Sequence, residues 1–491
     1  MTTTGSEAAK PRSGASLLRL ASGASFLAVL DVTVVNLAIP DLHDDLGSGL
    51  KDLSWVITVY AVVFAALLAP AGRLADVLGR RTLFLGGVGV FTAASVLVAV
   101  VPDLGSLLAA RAIQGLGAAA MIPASLAIVL MDSPPERRRA AIGQWSAAAA
   151  LAAAVGPALG GALVDLAGWR SLFLINIPFG LYFLYAATGI PRTTGGGDRK
   201  LPDVLGTLLL GGGVGALCLS ISQGGDWGWS EASTLVCLIG GPVLIALSLL
   251  RSARHPAPAV DISLWRSRTF ALANAAAFFY GVALFAWLLV GVLYVTQVWG
   301  YSELEAGLAM TPGALAATIV ALRVGKLPPS YGPRLATAGG AAILAGTGFL
   351  LAFTLPDHSM FLAYWLPLGV LAGVGMGAIT TGTSTAAALS VSPLRFAGAT
   401  GLNQTARQIG GALGIAVLAT VVAGEVTEIA DFERIYLIAA CAAVVVGLLG
   451  LGLTIKLPPA PAAAAPAPAP AADAETASAA DRKAPAADSA G

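Results

Sequence analysis

Fourteen apolar runs alternate with short polar stretches along the chain, at residues 16–39, 54–72, 82–101, 105–130, 141–164, 170–190, 203–222, 233–251, 269–296, 305–323, 335–355, 360–386, 397–423 and 433–455. At a rise of about 1.5 Å per residue, runs of this length match the roughly 30 Å hydrocarbon core of a bilayer. The pattern predicts an all-α integral membrane protein with fourteen transmembrane helices. The count is even, so both ends of the chain share one side of the membrane.

Charge gives that side its identity. When the Lys and Arg residues between runs are assigned to alternate sides, 23 of the 28 fall on the side of the N-terminus, which predicts that this side is cytoplasmic. A hydrophobic fraction of 57%, a charged fraction of 11% and a mean hydropathy of +0.81 exclude a soluble globular protein. The three cysteines, Cys218, Cys237 and Cys441, lie inside apolar runs and read as core packing. His43, His255 and His358 are too scattered to ligate a metal, and no cofactor is expected. No removable signal peptide is expected, because the first run follows a polar segment without a small-residue cleavage site.

The stretch Gly72 to Arg81, Gly-Arg-Leu-Ala-Asp-Val-Leu-Gly-Arg-Arg, predicts a compact cytoplasmic loop whose glycines supply a tight turn and close helix approach. Its pattern returns 253 residues later, at Gly325, Lys326, Leu327, Gly332 and Arg334. The offset aligns runs 1 to 6 with runs 9 to 14 and leaves runs 7 and 8 as an inserted hairpin. The domains expected are a cytoplasmic segment at 1–15, a six-helix bundle at 16–190, the inserted helices at 203–251, a second six-helix bundle at 269–455 and a disordered Ala/Pro-rich tail at 458–491.

Polar residues inside spans are expensive and mark candidate function. Asp31 is the only acid within the first run, about 13 Å from its outer end, and Arg111 of the fourth run lies about 10 Å from the same surface. Two opposite charges at one depth imply a pair, either one that substrate or proton displaces or a static structural bridge. Asn36 and Gln114 lie close to these two in sequence and are assigned to a substrate cavity. In the fifth run, Gly156, Pro157, Gly160 and Gly161 combine a bend with small surfaces and predict a hinge or a contact between halves. In the second half, Arg407 lacks a carboxylate at its depth, and bonding to Gln404, to backbone carbonyls or to an anionic substrate group all remain open. Phe278, Phe279, Tyr280, Phe285 and Trp287 cluster in the ninth run, as packing or as a cavity wall; Phe279 and Tyr280 are the cavity candidates.

These motifs carry a resemblance. Leu30 to Pro40, Gly72 to Arg81, Arg111 to Gly117, Gly156 to Gly161 and Trp169 to Pro178, in that order, resemble the 14-helix drug:proton antiporters of the major facilitator superfamily. The resemblance covers nearly everything from the first run to the fourteenth. It implies the major facilitator fold, two six-helix bundles around a central cavity, with alternating access and export driven by protons moving inward. It also implies proton coupling at Asp31 and Arg111, the helix 5 antiporter motif at Gly156, Pro157, Gly160 and Gly161, and a cytoplasmic gate of Gly72, Asp76, Gly79, Arg80 and Arg81. Pro329 and Pro333 stand where Asp76 and Arg80 recur, so the gate is expected to be one-sided.

The expected function is proton-coupled efflux of lipophilic small molecules, with the lipid bilayer, protons and the substrate as partners and no nucleic acid. A cell (inner) membrane location with both termini cytoplasmic follows. A proton-independent facilitator or importer is the alternative reading. A membrane enzyme or sensor is the remote one, since no cluster of Cys, His, Asp or Glu and no soluble domain accompanies the spans.

Overall fold

The computed structural model describes residues 14–190, 201–328, 332–421 and 429–454. Most of the expected 1–15 segment, the 458–491 tail and Pro329 lie outside them. The described helices are α1 (Gly14–Val35), α2 (Ile39–Leu46), α3 (Leu50–Leu78), α4 (Arg80–Val100), α5 (Leu104–Asp132), α6 (Arg138–Ala167), α7 (Ser171–Leu174) and α8 (Asn176–Ala187). They continue as α9 (Val204–Trp227), α10 (Ala232–Ser252), α11 (Arg268–Gln297), α12 (Glu303–Val324), α13 (Gly332–Thr354), α14 (Leu366–Leu389), α15 (Phe396–Val421) and α16 (Ile429–Leu451). Twelve spans among the described residues are long and apolar enough to cross a membrane. The α7–α8 pair is shorter, and α15 carries Asn403, Gln404, Arg407 and Gln408; these two supply the remaining expected runs.

Three runs expected to be uninterrupted are broken, each near a proline. The first changes to a 3-10 turn at Asn36–Ala38 before Pro40. The sixth breaks at Ile175, ahead of Pro178, and the twelfth opens with a π turn, Phe361–Trp365, before Pro367. Proline donates no backbone hydrogen bond and crowds the preceding turn, so the helix is released there. Where polar caps are available the ends are sharp: Ser302 and Glu305 form a reciprocal capping box that starts α12. Cys441, expected in the core, is exposed on α16, whereas Cys218 is buried.

The first-half helices enclose a core that includes Tyr60, Phe84, Phe91 and Trp145, continued by Val34, Val56, Leu107 and Phe173. In the second half, Tyr294 stacks on Trp365 and Trp287 meets Tyr436 edge to face, an aromatic core that gathers α11, the π turn ahead of α14, and α16. The α9–α10 hairpin packs through α9 against both α3 and α15.

Helices cross closely only where side chains are missing. At the α11–α15 crossing, a Cβ on Gly281 would overlap the Arg407 carbonyl oxygen and lie 2.8 Å from Gly411 N. Opposite it, a Cβ on Gly410 would lie 2.7 Å from the Phe278 carbonyl carbon. Both neighbours are backbone and cannot rotate away. Gly281→Ala is therefore expected to destabilise the protein by about 1–3 kcal/mol, read as a lower melting temperature in detergent. Gly339→Ala, which meets nothing within 4 Å, is the neutral control; equal melting temperatures for the two variants would contradict this packing.

Candidate functional site

Four helices bring their few polar side chains to one point. Arg111 and Gln114 stand three residues apart on α5 and so share a face. α1 supplies Asp31, α4 supplies Ser95 and α8 supplies Asn176 at its first residue, just past the break. Arg111 Nη1 donates to Asp31 Oδ2 at 2.7 Å and to Gln114 Oε1 at 2.7 Å. Asp31 Oδ1 accepts from Gln114 Nε2 at 2.7 Å and from Asn176 Nδ2 at 2.9 Å. Ser95 Oγ accepts from both amides, at 3.0 and 3.3 Å, and donates to the Phe91 carbonyl.

The pair is sealed: the side chains of Arg111 and Asp31 are 1% and 0% exposed. Arg111 Nε donates to the Val56 carbonyl at 3.1 Å, and the guanidinium lies 4.3 Å from the Tyr60 ring centroid and 5.5 Å from that of Phe173. An ion pair removed from water is tolerated only when its remaining donors and acceptors are met and the geometry is good, and here a backbone oxygen, an amide and two aromatic faces meet them. Gln114, expected in a cavity wall, is instead a fully buried member of this network. Asn176 sits in a motif visible in the sequence without a role attached to it. Ser95 has no sequence signal, because a serine bonding back to its own helix is unremarkable in a span.

A second cluster lies on the arginine-rich face. α3 does not stop at Gly72 but runs helical to Leu78, and α4 starts at Arg80. The compact loop expected over Gly72 to Arg81 is thus a corner made at one residue, Gly79, whose φ of +101° favours a residue without Cβ. Gly72 serves close approach instead: a Cβ there would overlap the Ala397 carbonyl oxygen and lie 3.2 Å from Gly398 Cα. That contact delivers Asp76 to the first turn of α15, where its carboxylate accepts from Gly398 N at 2.7 Å and Ala397 N at 3.3 Å. Unpaired amides and the positive end of the helix dipole make this a favourable seat for an anion. Arg80 Nη2 bridges Asp76, at 3.2 Å, and the Pro393 carbonyl, at 2.6 Å. Arg81 turns away to the Thr188 carbonyl of the first half, at 2.9 Å.

The segment between α10 and α11 straps this corner from both sides. Arg73 Nε donates to the Pro258 carbonyl at 3.4 Å, and Arg395 pairs with Asp261 at 3.1 Å and donates to Ser263 Oγ at 2.7 Å. The strap is anchored at Asp203, whose amide donates to the Ala257 carbonyl at 2.8 Å and whose carboxylate holds Arg251. That guanidinium keeps the Asp203 carboxyl below the ordinary carboxylate range. At the described ends of the repeated loop, contacts to α6 form as well. Arg139 donates to the Leu327 carbonyl, and a Cβ on Gly143 would lie 3.3 Å from Gly325 Cα. This second closure uses no carboxylate.

On α6 the Gly-Pro group faces two ways. Gly156 packs on α1 and Gly160 on the end of α1 and the 3-10 turn that follows it, where Cβ atoms would lie 2.9 Å from Thr33 Cβ and 2.7 Å from Leu37 Cδ1. Pro157 and Gly161 face α12, next to Gly307 and Leu304. The remaining cavity candidates are not gathered into one wall. Asn36 is exposed in the 3-10 turn, and Phe279 is half-buried against Phe278. Tyr280 is buried, donating to the Met376 carbonyl at 3.1 Å and accepting from Thr380 at 2.8 Å. Arg407 is half-buried on α15, within electrostatic reach of Tyr280, and forms no ion pair among the described residues.

The sequence profile described as the Major Facilitator Superfamily matches residues 21–415. The chain belongs to the Major Facilitator Superfamily. Within it, the chain is 36% identical over 418 residues to the cephamycin export protein CmcT of Amycolatopsis lactamdurans, covering 84% of this chain and 86% of that protein. It is 34% identical over 399 residues to the multidrug resistance protein Stp of Mycobacterium tuberculosis (81% and 74% covered). A probable actinorhodin transporter of Streptomyces coelicolor is 34% identical over 413 residues (82% and 71% covered). The fold is similar to that of the human organic anion transporter MFSD10, with a TM-score of 0.66, 17% identity, and 89% of this chain and 99% of that one covered. The chain is thus a multi-pass member of a transporter superfamily, built to work in a lipid bilayer on a small-molecule substrate.

Asp76→Ala removes both amide-to-carboxylate bonds at the corner. Hydrogen bonds to a charged group contribute about 1.5–3 kcal/mol each, and about 1.4 kcal/mol is tenfold in a population. In protein with its three cysteines replaced by serine, maleimide labelling of Leu402→Cys from the arginine-rich side is expected to rise at least about tenfold when Asp76→Ala is added. Unchanged labelling would contradict a gate held by Asp76.

Proposed function

We propose that the protein exports lipophilic small molecules, antibiotics among them, by alternating access driven by protons moving inward. The observation that carries this reading is the sealed Asp31–Arg111 pair: the only acid in the first span stands in a cage with no direct path to water. Such a group must be uncovered and covered again during a cycle in order to exchange a proton, which is what coupling by alternating access requires. The relatives, named as exporters and resistance proteins, support the cargo class. The proposed site set is Asp31 and Arg111 for the proton, Asp76 with Arg80 for the gate, and Asn36, Phe279, Tyr280 and Arg407 toward the substrate.

In this reading the arginine-rich face is cytoplasmic, both termini lie there, and the membrane is the cell's inner membrane. The two groups of six helices rock against each other, and the α9–α10 hairpin rides between them on α3 and α15. Closure at Asp76 then corresponds to the state shut toward the cytoplasm.

Asp31→Asn is expected to insert and fold, since an amide of the same size keeps most of the cage. It should abolish export driven by an imposed pH gradient in proteoliposomes, and export at the wild-type rate would reject the proton role. For the pair itself, Arg111→Ala leaves a buried carboxylate without its partner and is expected to cost about 3–5 kcal/mol. Adding Asp31→Asn removes the stranded charge, so the double variant should melt above the single one; a double variant that melts lower would contradict the pairing energetics.

A further inference from the structure

Asn176 is completely buried and holds only half of its hydrogen-bonding capacity. Its Nδ2 donates to Asp31 Oδ1 and Ser95 Oγ, whereas its Oδ1 has no partner among the described residues. Buried amide oxygens are almost always paired, so an orphan beside a carboxylate calls for an explanation.

The groups that bond to Asp31 or to its bonding partners are otherwise committed. Arg111 from α5 is a donor only, Gln114 Oε1 already accepts from Arg111, and the Ser95 hydroxyl donates to the Phe91 carbonyl while accepting from both amides. From α3, Tyr60 presents its ring to the guanidinium and keeps a buried hydroxyl without a partner among the described residues, and α6 packs on α1 at Thr33 through Gly156 without a charge there. All three bonds to the Asp31 carboxylate come from donors, which suits the ionised form. When Asp31 takes a proton from a hydronium ion, an O–H bond of the hydronium breaks and leaves water, an O–H bond forms on the carboxyl, its charge falls to zero, and the new hydroxyl needs an acceptor. Two buried oxygens near Asp31 lack a partner among the described residues, Tyr60 Oη and Asn176 Oδ1, and only the second belongs to a group already hydrogen-bonded to the carboxylate.

We propose that Asn176 is the positioning residue of the proton site: its amide turns over when Asp31 is protonated, so that Oδ1 accepts from the acid hydroxyl in place of the Nδ2 donation to the carboxylate. A half-turn about the last side-chain bond exchanges the two atoms without moving the backbone. The inference rests on the proton-coupling reading. It adds that the cage has two hydrogen-bonded arrangements, one for each protonation state.

Infrared difference spectra between acid and alkaline buffer test it on the full chain in liposomes. The wild type should show a protonated-carboxyl carbonyl band that Asp31→Asn abolishes. Asn176→Leu, nearly equal in size, should move that band to higher frequency because the acid has lost its acceptor, and Asn176→Ser, whose hydroxyl accepts, should restore it. In wild-type protein with carbon-13 asparagine, an amide carbonyl band should shift over the same pH range as the carboxyl band. An Asp31 band that stays in place in Asn176→Leu, or an asparagine carbonyl indifferent to pH, overturns the switch and leaves proton coupling intact. Absence of any band dependent on Asp31 overturns both.

Discussion

One buried ion pair sets the terms for the first half of this protein. A carboxylate and a guanidinium withdrawn from water lose several kcal/mol of hydration each, and recover it only through close geometry and full hydrogen bonding. The surroundings of Asp31 and Arg111 meet that demand from four directions, with Val56 and Tyr60 on α3, Ser95 on α4, Gln114 on α5 and Asn176 on α8. α5, which carries the arginine, is the most enclosed of the apolar spans. The break between α7 and α8 has a consequence in the same terms, since it puts Asn176 at a helix start facing the pair.

α3 connects this site to the proposed gate. Near its start it offers the Val56 carbonyl and the Tyr60 ring to Arg111, and near its end it offers Gly72 and Asp76 to α15. A change at the pair therefore acts on the same helix that closes the arginine-rich face. The proposed gate suits reversible opening, because its bonds run from one carboxylate and a few arginines to backbone amides and carbonyls. Backbone groups at a helix end are satisfied equally well by water once the contact parts. The strap from α10 to α11 ties the hairpin into that closure through Arg73 and Arg395, and the Arg139–Leu327 contact completes it on the other flank.

Much of this was legible in the sequence because the bilayer permits so little. Spans follow from hydropathy, and the Asp31–Arg111 pair followed from two charges at one depth, where the alternative is two costly isolated ions. What escaped the sequence depends on rotation about helix axes. Gln114 looked like a cavity residue and turned inward, Ser95 looked like any span serine, and Cys441 turned outward. The Gly72 to Arg81 stretch read as a loop because its charges cannot sit in hydrocarbon. Yet helices extend beyond the hydrocarbon, and a single positive φ at Gly79 made the corner. Arg407 still has no carboxylate partner among the described residues, as its sequence neighbourhood implied.

The central claim is that substrate and proton move in opposite directions through one site. It is tested most directly in proteoliposomes at equal pH and zero membrane potential, with a substrate gradient imposed and the lumenal pH read continuously. The account requires that substrate leaving the lumen acidify it, that the sign reverse with the gradient, and that Asp31→Asn abolish the signal. Substrate that equilibrates with no pH change, or with the same change in the variant, would contradict it.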